Sequence, residues 1–146
     1  MQQGLTARRR TLARTSALAA VLSLALASPA AAKTLVRYER SGGIAGIQLT
    51  MTVTDAGGVR IARARTSEVT RFALPASQRR ALARALRDAR VSTLRGRYAP
   101  STPIADGFVQ TVHYAGHDVT VQDGARPPAR LGSLLSRLGR LAARTS

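Results

Sequence analysis

The chain contains no cysteine and no tryptophan, and its aromatic residues are three tyrosines and two phenylalanines. Without cysteine it forms no disulfide framework and carries no lipid on an amino-terminal thioether, and a thiol nucleophile is excluded. The shortage of aromatics argues against a base-stacking platform for single-stranded nucleic acid. Acidic residues are also scarce, with 7 Asp and Glu against 23 Lys and Arg. Few carboxylates are therefore present for acid-base chemistry or for binding a metal.

The first 32 residues have the three-part pattern of a secretory signal peptide. A basic head with four arginines between positions 8 and 14 precedes an apolar run over residues 17–27, which ends in small residues before Lys33. That run is shorter than the roughly 20 residues that span a bilayer. We therefore predict cleavage after Ala32 and a secreted or extracytoplasmic location. The arginine cluster leaves both Sec and twin-arginine export open.

The predicted mature chain, residues 33–146, has the length of one domain. It keeps 19 of the 23 basic residues and all 7 acidic ones, which leaves an excess of 12 positive charges. Lys33 is its only lysine. Such an excess of arginine attracts polyanions and acidic proteins over long range.

Alternation of apolar and polar residues predicts five strands, and helical spacing of leucines predicts two helices. The clearest strand, residues 47–54, alternates Ile, Leu, Met and Val with Gln and Thr. The first helix follows Leu74-Pro75 with Ser77 as its N-cap, and the second covers residues 129–144. The sequence therefore predicts one α+β domain with an antiparallel sheet of four to five strands and both helices packed on one face. The predicted strands are residues 34–40, 47–54, 59–65, 108–114 and 117–123.

No group of residues has the composition of a catalytic or metal site. His113 and His117 flank Ala115-Gly116, which indicates two solvent-facing histidines on a hairpin rather than two ligands on one helix face. No third ligand lies nearby, and no serine is placed beside a base. We expect a protein that is not an enzyme, with no catalytic residue, metal or cofactor, and with no nucleic-acid partner.

A glycine-rich stretch, Gly42, Gly43, Ile44, Ala45 and Gly46, connects the first two predicted strands. A two-residue hairpin turn needs fewer residues with positive φ than this stretch supplies. It is not a Walker loop, because no Lys-Ser or Lys-Thr follows, and a strand rather than a helix comes next. Two interpretations remain open: a wide hairpin loop, or exposed backbone that another molecule approaches closely.

Four segments together resemble the emfourin family, small bacterial inhibitors of thermolysin-like, protealysin-type zinc metalloproteases. They are RSGGIAGI (residues 40–47), LPASQRRALARAL (74–86), DGFVQTVHY (106–114) and VTVQDGARPPARLGSLLSRL (119–138). The glycine-rich segment is the most specific of them. The signal peptide and the strongly basic charge depart from the family pattern.

The resemblance implies stoichiometric blocking of a protease's active-site cleft, with no cofactor in the inhibitor and the protease as partner. As a hypothesis, Gly42, Gly43, Ile44, Ala45 and Gly46 form the protease-binding surface, and Ile44 offers the aliphatic side chain that thermolysin-like pockets favour. The alternative function is a cationic module of the cell envelope that contacts anionic polymers or lipid headgroups.

Overall fold

The computed structural model describes residues 32–144, which belong to one compact unit. The predicted signal peptide lies outside the described residues except for its last residue, Ala32. None of the helices in the described part is long and apolar enough to cross a membrane.

The described unit contains seven strands and two α-helices. The elements are β1 (Thr34–Gly42), β2 (Ile47–Thr54), β3 (Gly58–Arg63), β4 (Glu68–Ala73), α1 (Ala76–Asp88), β5 (Arg97–Tyr98), β6 (Phe108–Tyr114), β7 (His117–Gln122) and α2 (Ala129–Ala142). A single 3-10 turn, Val91–Thr93, follows α1.

All seven strands form one sheet in the order β4-β3-β2-β1-β6-β7-β5. Neighbouring strands are antiparallel, except that β5 pairs with β7 in parallel over two residues. The α+β prediction is confirmed, but the prediction of four to five antiparallel strands is wrong, because the sheet is mixed and has seven. The sequence EVTRFA of β4 does not alternate cleanly. The two residues of β5 are a strand only because β7 lies beside them.

The core lies on one face of the sheet. Val36 and Tyr38 of β1 pair with Val53 and Met51 of β2, and all four side chains are almost completely buried. Both helices contribute leucines to the same cluster. The other face of the sheet carries polar side chains, including Thr50, Thr52, Thr111 and Thr120, which are partly exposed. The two helices therefore cover a single face, as the period-2 pattern predicts.

Each helix begins directly after a proline. The N-cap residues are Pro75 and Pro128, and no side chain of the described residues caps the start of either helix. The amide of Arg79 donates to the carbonyl of Pro75 at 3.0 Å, so the helical hydrogen bonds of α1 start at Pro75. The prediction of Ser77 as N-cap is wrong, since Ser77 lies inside the first turn.

Arg63 caps the other end of α2. Its guanidinium donates to the carbonyls of Ala142 at 3.2 Å and Arg144 at 3.3 Å. The same guanidinium donates to Glu68 and Thr70. A cation at these free carbonyls also complements the negative end of the helix dipole. Arg63 thereby joins the end of α2 to the outer strands of the sheet.

Candidate functional site

The five residues of the glycine-rich stretch, 42–46, lie at one end of the sheet. Gly42 is the last residue of β1 and pairs with Ile47, the first residue of β2. Between them, residues 43–46 form a turn that is closed by the amide of Gly46 donating to the carbonyl of Gly43 at 2.8 Å. The two central residues, Ile44 and Ala45, do not have positive φ. The glycines therefore flank the turn instead of occupying its centre.

Each of the three glycines has a structural requirement. A Cβ on Gly42 would lie 2.3 Å from the carbonyl oxygen of Gly107, and one on Gly43 would lie 2.7 Å from the ring of Phe108. Gly46 has open space around it but a φ of +58°, a conformation that costs other residues energy. Close approach and backbone conformation therefore explain the glycine count without a functional contact.

Phe108, the first residue of β6, supports the turn from one side. Its ring lies against Gly43, and the guanidinium of Arg40 stacks over the ring at 3.8 Å from its centroid. Asp123 fixes the backbone of Phe108, because its carboxylate accepts the amide of Phe108 at 2.8 Å. The Asp123 amide donates in turn to the carbonyl of Phe108 at 2.8 Å. The turn therefore rests on a ring whose backbone is held by two hydrogen bonds to Asp123.

Arg65 supports the turn from the other side. It lies in the connection between β3 and β4, and its guanidinium donates a hydrogen bond to the carbonyl of Ala45. Sequence reasoning missed this contact. The connection between β3 and β4 brings Arg65 to the same end of the sheet. Which group the Arg65 side chain reaches depends on the twist of strands β1 to β4, which sequence patterns do not give.

Ile44 is the most exposed large apolar side chain of the described part, with 94% of its surface accessible. Ala45 is exposed, and Ile47 retains 38% accessibility. An exposed isoleucine alone is ordinary. Here it lies at the tip of a turn that is held on two sides, so the turn presents an aliphatic side chain in a fixed position.

The two histidines lie where the hairpin prediction placed them, on either side of Ala115 and Gly116. His117 is exposed, but His113 is not simply solvent-facing, because its Nδ1 lies 2.7 Å from the Asp118 carboxylate. Its Nε2 is buried, 3.7 Å from Glu39, and has no hydrogen-bond partner within residues 32–144. Over residues 32–144, no three His, Cys, Asp or Glu side chains are grouped so as to hold a metal ion.

Carboxylates pair with only two arginines in the described part of the chain. Arg37 pairs with Glu39, and Arg63 pairs with Glu68 at 3.1 Å. Most of the positive charge is therefore not neutralised by neighbouring side chains and attracts anions.

Tyr38 lies on the core face of β1, two residues before Arg40. Its hydroxyl donates to the side-chain oxygen of Gln110 at 2.8 Å. Burial raises the pKa of the Tyr38 phenol above the usual value of 10.0, while the nearby charge of Arg40 acts in the opposite direction. The phenol is therefore neutral at physiological pH and serves as a hydrogen-bond donor within the sheet.

A scan against protein-family models and a search of curated proteins both return no match to this chain. The geometry of the turn, the distribution of charge and the motif resemblance are therefore the features from which a function is proposed.

Proposed function

We propose that the mature domain is a stoichiometric inhibitor of a thermolysin-like zinc metalloprotease and that the turn of residues 43–46 enters the protease's active-site cleft. The observation that carries the proposal is the exposure of Ile44 at the tip of a turn that Phe108 and Arg65 hold on either side. The motif resemblance to the emfourin family supports it.

The flanking glycines suit insertion into a narrow cleft. Gly42, Gly43 and Gly46 add no side-chain bulk beside Ile44, so the backbone can approach the walls of a groove closely. Full burial of an isoleucine side chain contributes about 1.5–3 kcal/mol. Because the turn is already ordered, little conformational entropy is lost on binding.

The turn also resists productive cleavage. The hydrogen bond from Gly46 to Gly43 holds the backbone in a closed turn instead of the extended form of a bound peptide strand. Next to the turn, β1 and β2 are paired, beginning with Gly42 of β1 opposite Ile47 of β2. If one peptide bond were cut, these strands would keep the two new ends together.

The proposal is tested by Ile44→Arg, with Ala56→Arg as its matched control. Ala56 is an exposed residue in the turn between β2 and β3, at the opposite end of the sheet, so both variants add one positive charge to a hairpin turn. We expect Ile44→Arg to weaken inhibition of a thermolysin-like enzyme at least about tenfold, from the lost apolar burial. Residual activity is titrated with each purified mature variant.

Ala56→Arg should inhibit as well as the unmodified protein does. Circular dichroism establishes that both variants are folded. Undiminished inhibition by folded Ile44→Arg would exclude the turn as the binding site, and no inhibition by the unmodified protein would exclude the function.

A specific observation favours the second candidate function, a cationic module bound to the cell envelope. Arg95, Arg97 and Arg126 line a surface cleft of about 650 Å3 together with Tyr98 and Ser101, and none of these arginines pairs with a carboxylate of residues 32–144. Three free guanidinium groups suit the phosphate groups of anionic polymers or lipid headgroups.

The two functions are separated by the triple variant Arg95→Gln, Arg97→Gln and Arg126→Gln. If the domain is an envelope module, this variant should lose co-sedimentation with vesicles that contain anionic phospholipid. A triple variant of arginines on α1, Arg80→Gln, Arg84→Gln and Arg87→Gln, matches the charge change elsewhere. Equal loss in both triple variants would show that only net charge matters and that the cleft is not a site.

A further inference from the structure

A groove of about 380 Å3 separates the last turns of α2 from the strands beneath them. Ile47 and Leu49 of β2 form its apolar wall on the sheet side, and Ala142 and Ala143 form the helix side. Cationic side chains, among them Arg40 and Arg65, line it as well. Its size and its mixture of apolar walls with a few polar groups are typical of a small-molecule site.

Gly139 leaves this groove open. It faces the sheet, and the nearest atom to a Cβ built there would be the hydroxyl oxygen of Tyr38, at 3.9 Å. Close packing therefore does not require glycine at this position, although glycine inside a helix costs about 0.5–1 kcal/mol relative to alanine. Tyr38, Arg40 and Gly139 also line a second cavity, of about 350 Å3, on the other side of the point where Gly139 approaches Tyr38. A side chain larger than that of glycine would therefore fit beneath this part of α2.

Of the three arginines that line this groove, Arg40 is the one with a buried donor that lacks a partner among residues 32–144. Arg63 pairs with Glu68, and Arg65 donates to the carbonyl of Ala45. The Nε atom of Arg40 is buried and has no hydrogen-bond partner among residues 32–144. The ring of Phe108 stacks on its guanidinium. A buried donor without a partner is costly. The guanidinium that carries it lines the groove, so an anion there would compensate its unpaired charge.

We propose that this groove binds an aliphatic monocarboxylate, with the carboxylate on Arg40 and the hydrocarbon chain along Ile47 and Leu49. A carboxylate matches the forked donors of a guanidinium. The apolar walls favour a hydrocarbon tail over a strongly hydrated anion such as phosphate. Ala45 of the turn borders the groove. The proposal nevertheless does not depend on protease inhibition, because it assigns ligand binding to Arg40, Ile47 and Leu49 and not to Ile44.

The test titrates octanoate into the 15N-labelled mature protein and follows amide chemical shifts. We expect saturable shifts at β1, β2 and the end of α2. Octan-1-ol has the same chain without the charge, and inorganic phosphate has the charge without the chain, so each should bind at least about tenfold more weakly. The absence of saturable octanoate shifts at these elements, or equal binding of octan-1-ol, would overturn the proposal.

Two variants locate the site, each with a matched control. Arg40→Gln removes the cation, and Arg37→Gln removes a cation from the opposite face of the same strand. Gly139→Leu fills the groove, and Gly132→Leu adds the same side chain to α2 at a position that does not line it. We expect the first member of each pair to weaken octanoate binding at least about tenfold and the second to leave it unchanged.

Ile44→Arg separates the two proposals, because it should weaken inhibition without changing octanoate binding. Octanoate affinity that is equal in Arg40→Gln and Arg37→Gln, with both folded by circular dichroism, would show binding by net charge alone and would overturn the groove proposal.

Discussion

Two hairpin turns lie at opposite ends of this sheet and use glycine for different reasons. The turn between β6 and β7 has two residues, Ala115 and Gly116, both with positive φ, and nothing lies within 4 Å of a Cβ added to Gly116. The turn between β1 and β2 has three glycines, two of which lie against Gly107 and Phe108. The first turn needs glycine for its backbone conformation alone, whereas the second also needs it to let another strand come close.

The largest expected effect of this difference is on the stability of glycine variants. Gly42→Ala places a Cβ against a backbone oxygen at a φ of +108°, so we expect it to lower the free energy of unfolding by about 3 kcal/mol or more. Gly116→Ala meets no atom and should cost only about 1–2 kcal/mol. Urea unfolding measures both, and equal losses would mean that the contact with Gly107 has no energetic role.

The aromatic residues at the two ends of β6 should differ as well. Phe108 lies beside the glycine-rich turn, and Tyr114 lies beside the short one. We expect Phe108→Ala to cost about 2 kcal/mol, since its ring is half-buried, and to speed amide hydrogen exchange in residues 43–46. Tyr114→Ala should leave exchange in those residues unchanged. If both variants had the same effect there, Phe108 would not be the support of the turn.

A pH effect is expected midway between the turns, at Tyr38. Its pKa is raised in the folded protein, so the unfolded chain loses the phenol proton first as the pH rises above about 10. The stability due to this shift is present below that pH and is lost as the pH rises through the folded-state pKa. Tyr38→Phe should remove the part of the stability loss at alkaline pH that is due to this phenol. The measurement is the free energy of unfolding at pH 8 and at pH 11. Arginines keep their charge in this range. An identical loss in Tyr38→Phe would contradict the assignment.

The smallest expected effect concerns the hydrogen bond from Arg65 to Ala45. Arg65→Gln should reduce stability by about 0.5–1 kcal/mol and weaken protease inhibition slightly, because the turn loses one support. Arg60→Gln changes an exposed arginine of β3 and is the control, with no effect expected on either quantity. Faster exchange at Ala45 and Gly46 in Arg65→Gln alone would confirm the role of this contact.

The sequence predicted the parts of the fold that local pattern determines. Strict alternation located β2, and the leucine spacing located α2. It missed β4, where Thr70 occupies the core-facing position in place of an apolar residue, and β5, which exists through two pairings with β7. Strands defined by their neighbours and not by their own composition are not visible to a periodicity argument.

The candidate site was predicted as a segment but not as a structure. The glycine count marked residues 42–46, yet the reason for two of those glycines lies some sixty positions further along, at Gly107 and Phe108. The unpartnered Nε of Arg40 was equally hidden, because in sequence it is one arginine among many. Long-range pairing of β1 with β6 creates both features.

The brief parallel pairing of β5 has a consequence for self-association. It occupies part of the outer edge of β7, so that of the two edge strands only β4 offers a full length of unpaired backbone groups. Arg71 lies in the middle of β4 and Glu68 at its start, and charged side chains on an edge oppose pairing with a second sheet. The sheet of the described residues thus ends in one edge that is shortened and one that is charged, and both features oppose pairing with a second sheet.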